Sequence, residues 1–222
     1  MKRKLLITIC LLIFSLQIKA QHHNYYVGLM SSVDFYNYYY NSYGNFHENI
    51  ENNLSYHYGL KLQFDANNWF SLRQGIYFSR VAYRYDDPYF GTIYQSNPLQ
   101  TVPTYYIIKN YFINIPFMAG FTLFSEKDFK FTPSIGLILN INNSSSFTTY
   151  YPTYTTNYTD NYNDISISVQ LNLGFEYLYK DKFLFTLEPL TTFKYGNEIN
   201  NGNIISTPRN FGIMLSVNYK LL

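Results

Sequence analysis

Cysteine is nearly absent from this sequence, in which Cys10 is the only one among 222 residues. Cys10 lies inside an apolar N-terminal run that we expect to be cleaved off, so the mature chain would have no thiol. This absence excludes a disulfide scaffold, a cysteine-ligated metal and a cysteine nucleophile together. We therefore expect no cofactor or metal held by cysteine.

The chain also has little apolar sequence of the length that a membrane-spanning helix needs. The run from Leu5 to Leu16 is only about twelve residues, whereas a helix needs about twenty to cross a bilayer. Three basic residues precede it, and Ile18-Lys19-Ala20 provides a small-residue cleavage site before Gln21. This pattern predicts a secretory signal over residues 1–20 and a single domain over 21–222. The competing interpretation is an uncleaved N-terminal anchor.

Charged residues are scarce as well, at 14% of the chain. Removal of the signal takes four basic residues with it, so the formal charge falls from +2 to −2. The sequence pI of about 8.4 therefore gives no reason to expect nucleic-acid binding.

Aromatic residues are abundant, at 21% of the chain, with 26 Tyr and 19 Phe but one Trp. Tyrosine favours strands and combines an apolar ring with a polar tip, which suits a β protein with much interfacial surface. The mean hydropathy of −0.19 does not exclude a membrane protein. A transmembrane barrel averages an apolar outer face against polar loops and a polar lumen.

The segment Ile165–Tyr179 alternates almost perfectly between apolar and polar residues. Alternate side chains of a strand point to opposite faces, so this segment is predicted to be one long strand with one uniformly apolar face. A tilted strand crossing a bilayer needs about ten residues of this pattern.

The same alternation recurs along the chain and predicts eight strands. They cover residues 26–35, 55–64, 70–83, 105–124, 129–141, 165–179, 183–194 and 211–221. Pro116 inside the fourth strand predicts a bulge or a missing ladder bond. Gln74 interrupts the apolar face of the third strand and leaves its register open. Long connections are expected at 36–55, 85–104, 142–164 and 196–209.

Long and short connections alternate strictly between these strands. The fold class is therefore all-β, an eight-stranded antiparallel up-and-down transmembrane β-barrel with short periplasmic turns and four long extracellular loops. Lipocalin-type soluble barrels also have eight strands. Two features favour the membrane: aromatic residues gather at the strand ends, and the opposite face carries charges that a closed apolar core would not accept.

The run Tyr111-Phe112-Ile113-Asn114-Ile115-Pro116-Phe117 and the closing Val217-Asn218-Tyr219-Lys220-Leu221 resemble the PorT-like outer-membrane β-barrel family. The resemblance covers the whole mature chain. It implies an eight-stranded barrel in the bacterial outer membrane that the outer-membrane assembly machinery inserts. The founding member is linked to protein secretion.

Four charged residues fall on the predicted lumen face at similar depth: Lys61, Arg73, Glu176 and Glu188. Two acids and two bases at one level can neutralise each other, whereas any one alone would be a costly buried charge. We expect them to form a structural salt-bridge plug. A gate or a proton path is the alternative, although an eight-stranded barrel leaves little room for a pore.

An enzyme is not expected. His57 is the only strand histidine, and Ser55 or Ser79 could lie near it, but no base and orienting group can be assigned. The acidic loop residues Asp86, Asp87, Asp160 and Asp164 lack the ordered spacing of a calcium loop. We predict no catalytic, cofactor or metal site.

The long loops carry the remaining functional signal. Tyrosines stand there among Asn, Ser, Thr and Gly, the residue set that binding loops use. We therefore predict a small non-enzymatic outer-membrane protein, monomeric and surrounded by outer-membrane lipid, that contacts a surface protein or glycan or has a structural envelope role. A narrow channel or secretion or uptake accessory, and a lipid-modifying enzyme, remain alternatives. The candidate contact residues are Tyr38, Tyr39, Tyr40, Tyr150, Tyr151 and Tyr154.

Overall fold

The computed structural model describes residues 24–37, 40–41, 49–52, 54–86, 105–151, 154–160, 165–195, 205–206 and 209–221. The predicted signal at 1–20 lies outside these residues. Across the described ranges, no helix has the length and apolarity that crossing a membrane would require.

Eight long strands form the body of the protein. They are β1 (Asn24–Asn37), β2 (Ser55–Asp65), β3 (Phe70–Asp86), β4 (Tyr105–Phe121), β5 (Phe129–Tyr150), β6 (Ile165–Tyr179), β7 (Phe183–Tyr195) and β8 (Arg209–Lys220). Each strand pairs antiparallel with its neighbour in sequence, and β8 returns to pair with β1, from Tyr26 opposite Lys220 to Asn37 opposite Arg209. The sheet therefore closes into the predicted up-and-down barrel.

The barrel is apolar outside and polar inside. Along β6, the side chains from Ile165 to Tyr179 on the apolar face are exposed, while Ser168, Gln170, Asn172 and Glu176 are buried. β8 repeats the pattern, with Leu215 exposed and Asn218 buried. A water-soluble barrel would show the reverse arrangement, so this exterior is built for lipid.

Aromatic rings concentrate where the strands reach the short turns. Trp69 stacks on Phe121 with ring centroids 6.5 Å apart, and Phe183 meets Tyr219 edge-to-face at 5.5 Å. Amphipathic and aromatic rings at this level form the girdle expected at a membrane interface.

Pro116 interrupts a ladder without creating a bulge. The pairing between β3 and β4 stops after Gln74 opposite Phe117 and resumes in the same register at Tyr77 opposite Asn114. Proline has no N–H to donate, so the missing ladder bond is the outcome that occurs here. The bulge lies further along, where the register between β4 and β5 shifts at Tyr111 and Phe112. Gln74 keeps the outward orientation of its strand and is half-buried.

The fourth strand is shorter than predicted. It ends at Phe121 rather than at residue 124, and the separate strand Phe124–Glu126 pairs with Phe129–Phe131 to form the tip of the next hairpin. Thr122 and Leu123 lie between the two strands and connect them by backbone bonds to Trp69 and Phe131.

The prediction of a loop at 142–164 is wrong in large part. β5 continues to Tyr150 and pairs on one side with β4 and on the other with a short strand, Thr155–Asp160. Backbone pairing on both sides of β5 compensates for the weak hydrophobic alternation of its Ser- and Thr-rich end. The threonines and aromatic residues of this end also favour strands.

Two further segments lie inside predicted loops. Asn49–Asn52 pairs with residues 83–86 of β3, and Tyr40–Asn41 pairs with Ile205–Ser206. The ends of β3, β4 and β5, flanked by Asn49–Asn52 and Thr155–Asp160, therefore make a five-stranded extension above the barrel rim, which we call the outer sheet.

Candidate functional site

The four predicted lumen charges lie together inside the barrel. Lys61 Nζ donates to Glu188 Oε2 at 2.9 Å, and Arg73 Nη1 donates to Glu188 Oε1 at 2.5 Å. Arg73 Nη2 also forms an ion pair with Glu176 Oε1. All four side chains are 5% exposed or less. One guanidinium thus connects two carboxylates across the lumen.

Strand register places these groups at one level. Lys61 lies opposite Gly75 and Arg73 opposite Gln63, which makes the two cations diagonal neighbours on β2 and β3. Glu176 on β6 lies opposite Thr186 on β7, two residues before Glu188. Alternate residues share a face, so both carboxylates point inward from the opposite wall.

Hydroxyl groups and one backbone carbonyl make further contacts with the two cations of this cluster. Lys61 Nζ reaches the hydroxyls of Thr186 and Ser216 at 3.4 Å each. Arg73 reaches the Ser134 hydroxyl at 3.4 Å and the Thr132 carbonyl oxygen at 3.5 Å. Hydroxyl contacts of this kind reduce the cost of burying the ion pairs.

The cluster continues toward the periplasmic end. Gln63 Nε2 donates to Asp65 Oδ1 at 2.9 Å and to Glu176 Oε1 at 3.5 Å. Lys130 Nζ donates to Asp65 Oδ2 at 3.3 Å. The sequence prediction missed Asp65 and Lys130, which balance each other as the inner four charges do. We call Lys61, Arg73, Glu176, Glu188, Asp65 and Lys130 the lumen network.

Little space remains beside the lumen network. A cavity of about 20 Å³ lies against it, lined by residues that include Met30, Tyr77, Met118 and Met214. A cavity needs about 10–15 Å³ to hold one water molecule. This cavity therefore accommodates about one water molecule and no larger solute.

A second polar cluster, which the sequence prediction missed, lies nearer the outer rim. The imidazole Nε2 of His57 is hydrogen-bonded to Asp34 Oδ2, and Ser32 Oγ donates to Asp34 Oδ1 at 2.6 Å. Asn210 Nδ2 also donates to Asp34 Oδ2, at 3.4 Å. The pairing of Asp34 with His57 could have been predicted from the first hairpin. Ser32 lies opposite His57 there, so Asp34, two residues further on, is the diagonal neighbour of His57.

The serines that sequence reasoning placed near His57 are engaged elsewhere. Ser55 Oγ accepts a hydrogen bond from the Ala82 N–H at 3.0 Å, and Ser79 Oγ accepts one from Asn114 Nδ2 at 2.6 Å. The ring of His57 meets Tyr77 edge-on at 5.4 Å. Among the described residues, no group of three or more His, Cys, Asp or Glu residues could hold a metal ion.

The predicted contact tyrosines are only partly brought together. Tyr150 stacks on Tyr105 with centroids 4.4 Å apart, and Tyr151 stacks on Tyr154 at the same distance. Tyr38 and Tyr39 lie outside the described residues, while Tyr40 belongs to the short strand Tyr40–Asn41. Tyr158, another of the tyrosines in the third predicted loop, is 67% exposed on the outermost strand.

An eight-stranded antiparallel barrel with a lipid-facing apolar wall and a filled, charged lumen defines an integral outer-membrane β-barrel protein. Residues 19–193 match the family model described as outer membrane protein beta-barrel domain. The chain belongs to this family, and its place in the cell is the bacterial outer membrane. No curated protein matches the chain.

Several solved outer-membrane proteins are similar in structure. Neisserial surface protein A is 13% identical, with 90% of this chain and 100% of that chain covered and a TM-score of 0.44. OprG from Pseudomonas aeruginosa is 10% identical, with 89% and 95% covered and a TM-score of 0.49. The outer membrane protease OmpT from Escherichia coli is 10% identical, with 91% and 97% covered and a TM-score of 0.46.

Proposed function

We propose that this protein is a non-enzymatic outer-membrane barrel that binds a protein or glycan at the cell surface through its outer sheet. The observation that carries the proposal is the hairpin formed by the end of β5 and Thr155–Asp160. It extends the wall beyond Ile141, the residue of β5 that lies opposite the start of β6 at Ile165. This hairpin is a rigid arm above a barrel whose lumen is closed. Such an arrangement fits a protein that binds a partner better than one that transports a solute.

The exposed chemistry of this hairpin supports recognition. The side chains of residues 155–159 are all exposed, and they present Thr and Asn hydrogen-bonding groups beside the ring of Tyr158. Tyr154 is also exposed beside Tyr151. Amphipathic rings supply contact area at a low cost in side-chain entropy, and small polar groups supply adaptable hydrogen bonds. Strand pairing fixes the arm before binding, which reduces the entropy lost on association.

The lumen network argues against the alternative of a narrow channel. Ion pairs from β2 and β3 to β6 and β7 span the interior, and the cavity beside them holds about one water. Conduction would require these buried pairs to separate, which costs several kcal/mol. We therefore place the channel and the uptake accessory second.

The geometry around His57 supports the non-enzymatic proposal. A nucleophilic site needs a serine or another nucleophile within hydrogen-bonding distance of the base. His57 instead faces Asp34, and the Ser55 and Ser79 hydroxyls accept hydrogen bonds from Ala82 and Asn114. Its side chain is also only 10% exposed, which leaves little room for a substrate.

Within the family, we propose that the chain belongs with the PorT-like barrels. The support is the fourth-strand run Tyr111–Phe117 and the closing segment Val217–Leu221. A secretion accessory role would follow the founding member of that group. No described residue carries that role by itself, so surface binding remains the first proposal.

Site-specific photo-crosslinking on intact cells tests the binding proposal. A photoreactive residue replacing Tyr158 should give discrete crosslinked species with a surface protein or polysaccharide. The matched control replaces Leu215, which is also well exposed but faces lipid on β8. Adducts with lipid alone at both positions would refute the proposal.

Single-channel recording separates the binding protein from the channel. The purified barrel in a planar bilayer should give no steady conductance, because the lumen network closes the interior. A stable open level in the unmodified protein would favour the channel instead. Unchanged lipid profiles in cells carrying His57→Ala would support the absence of an enzyme.

A further inference from the structure

One row of outward-facing residues crosses four strands near the extracellular end of the barrel. Tyr56, Arg80, Tyr111 and Ser144 lie directly opposite one another in turn, on β2, β3, β4 and β5. Tyr56, Arg80 and Tyr111 share the parity of exposed residues on their own strands, such as Tyr58 and Phe78, and Ser144 joins the row through its register opposite Tyr111. The row therefore faces the surroundings of the barrel and not the lumen.

Two cations belong to this outward face. Arg80 lies over the ring of Tyr56, with its guanidinium carbon 5.6 Å from the ring centroid. Lys109 is two residues from Tyr111 on β4 and lies opposite Ala82 and Ser146, so it is the diagonal neighbour of Arg80. In the described part of the chain, neither cation has a carboxylate partner within ion-pairing distance.

A cleft opens beside Arg80. It has a volume of about 310 Å³ and is lined by Tyr58, Phe78, Arg80, Tyr111, Asn143 and Ser144 among others. The register shift between β4 and β5 falls at the same place, because Tyr111 lies opposite Ser144 whereas Phe112 lies opposite Asn142. Asn143 is the extra residue of this β-bulge, and bulges redirect side chains. The cleft thus combines cationic, hydroxyl and amide groups with aromatic walls.

The level of the cleft relates it to the membrane surface. One row nearer the periplasm, Tyr58, Phe78 and Ile113 lie opposite one another, and the next row is Leu60 and Ile76. Arg80 is therefore the first outward charge above an apolar wall that continues into the bilayer. Tyrosine at such a boundary belongs to the interfacial girdle, where lipid head groups begin.

We propose that this cleft binds the phosphate-bearing head group of a lipid in the outer leaflet. Arg80 and Lys109 supply two positive charges, and the planar guanidinium matches phosphate geometry. The hydroxyls of Tyr111 and Ser144 and the amide of Asn143 offer further donors. The acyl chains of the same lipid continue along Phe78, Ile113 and the aliphatic wall below. This annular site is separate from the contact arm at Tyr158.

A phosphate-dependent binding measurement tests the site. The folded barrel in neutral detergent micelles is titrated with diphosphorylated lipid A, and with the same lipid after removal of both phosphates. The wild-type barrel should bind the phosphorylated form at least about tenfold more tightly, because two charge-assisted contacts are lost with the phosphates. Native mass spectrometry reads the bound fraction directly.

Substitutions assign the effect to the cleft. The Arg80→Gln, Lys109→Gln double variant should lose the preference for the phosphorylated lipid. The matched control, Lys180→Gln with Lys182→Gln, removes the same charge at the periplasmic turn, where Lys180 lies 5.1 Å from the ring centroid of Tyr179. This control should keep the wild-type preference. Heat-dependent migration in gels confirms that each variant is folded.

Three results would overturn the proposal. Equal affinity of the wild type for the two lipids would remove the role of phosphate. If both double variants lost the preference for the phosphorylated lipid equally, net charge rather than the cleft would explain the binding. Displacement of the lipid by millimolar inorganic phosphate would show a free-anion site. If the cleft variant does not fold, the two-lipid comparison on the wild type still decides the question, and Lys109→Gln alone provides the second test.

Discussion

The imidazole of His57 is bonded to the carboxylate of Asp34, and Asp34 is completely buried. Ser32 and Asn210 complete the hydrogen bonds of this carboxylate. The cluster joins β1, β2 and β8, the strands on either side of the seam where the barrel closes. The cluster stabilises that seam, because the buried carboxylate of Asp34 is hydrogen-bonded to groups on the neighbouring strands and would be left unpaired if those strands separated.

Removing the imidazole should therefore destabilise the barrel. We expect His57→Leu to lower the free energy of unfolding by about 3–5 kcal/mol, since Asp34 would keep a buried charge without its partner. Urea unfolding in detergent micelles measures the change. The double variant Asp34→Leu, His57→Leu should lose less than the single one, because no charge is left unpaired. A double variant that loses the sum of both single effects would contradict the pairing.

The lumen network makes a parallel prediction for Glu188, which contacts two cations. Glu188→Gln should cost about 3–5 kcal/mol of unfolding free energy, because Lys61 and Arg73 then face an uncharged amide in a buried site. Glu126→Gln is the matched control on an exposed turn strand and should stay within about 0.5 kcal/mol of wild type. Equal small effects in both variants would mean that the network contributes nothing to stability.

On the lipid-facing side of a single strand, the cost of introducing an arginine should depend on its depth in the bilayer. Leu171→Arg, near the middle of β6, should cost about 2–4 kcal/mol. Ile165→Arg lies on the same face at the outer end of β6, where the cost falls to about 0–1 kcal/mol. Both side chains are exposed in the wild type. Unfolding of the two variants in lipid vesicles tests the pair, and equal costs would place Ile165 deeper in the bilayer than the fold implies.

The turn between β6 and β7 predicts a gain in stability. Lys180 and Asp181 have φ angles of 50° and 55°, and the Lys182 N–H donates to the Tyr179 carbonyl oxygen at 3.1 Å. This is a type I′ geometry, which favours glycine at its second central position. Asp181→Gly should therefore add about 1 kcal/mol to the free energy of unfolding. Lys182→Gly, outside the left-handed region, should not stabilise the protein.

Alternation predicted the barrel strands well, because one lipid-facing side per strand leaves a strict pattern of period two. β6 has the predicted bounds, and Lys61, Arg73, Glu176 and Glu188 point inward as their parity required. The same logic failed at the end of β5. Both faces of Asn142–Tyr150 are polar or mixed there, so the sequence carries no pattern, and only pairing with β4 and Thr155–Asp160 makes it a strand.

Contacts between distant strands were harder to predict than the orientation of each strand. The Asp34–His57 pair follows from the first hairpin register, but the Arg80 cleft depends on a one-residue shift opposite Tyr111. This bulge has no signature in the side-chain pattern of the sequence. The lumen partners Asp65 and Lys130 meet across a register that only the closed barrel defines.

The strands of the barrel differ in length, and the longest of them determines how far the protein extends from the membrane. From Ile141, where β6 joins, β5 runs on to Tyr150, and at about 3.3 Å per residue this carries the chain roughly 30 Å further along the strand direction. Because the arm is a direct continuation of a transmembrane strand, a pull on its tip would act on the barrel along hydrogen-bonded ladders. A partner bound there would be tethered mechanically to the bilayer, with no flexible linker to absorb the force.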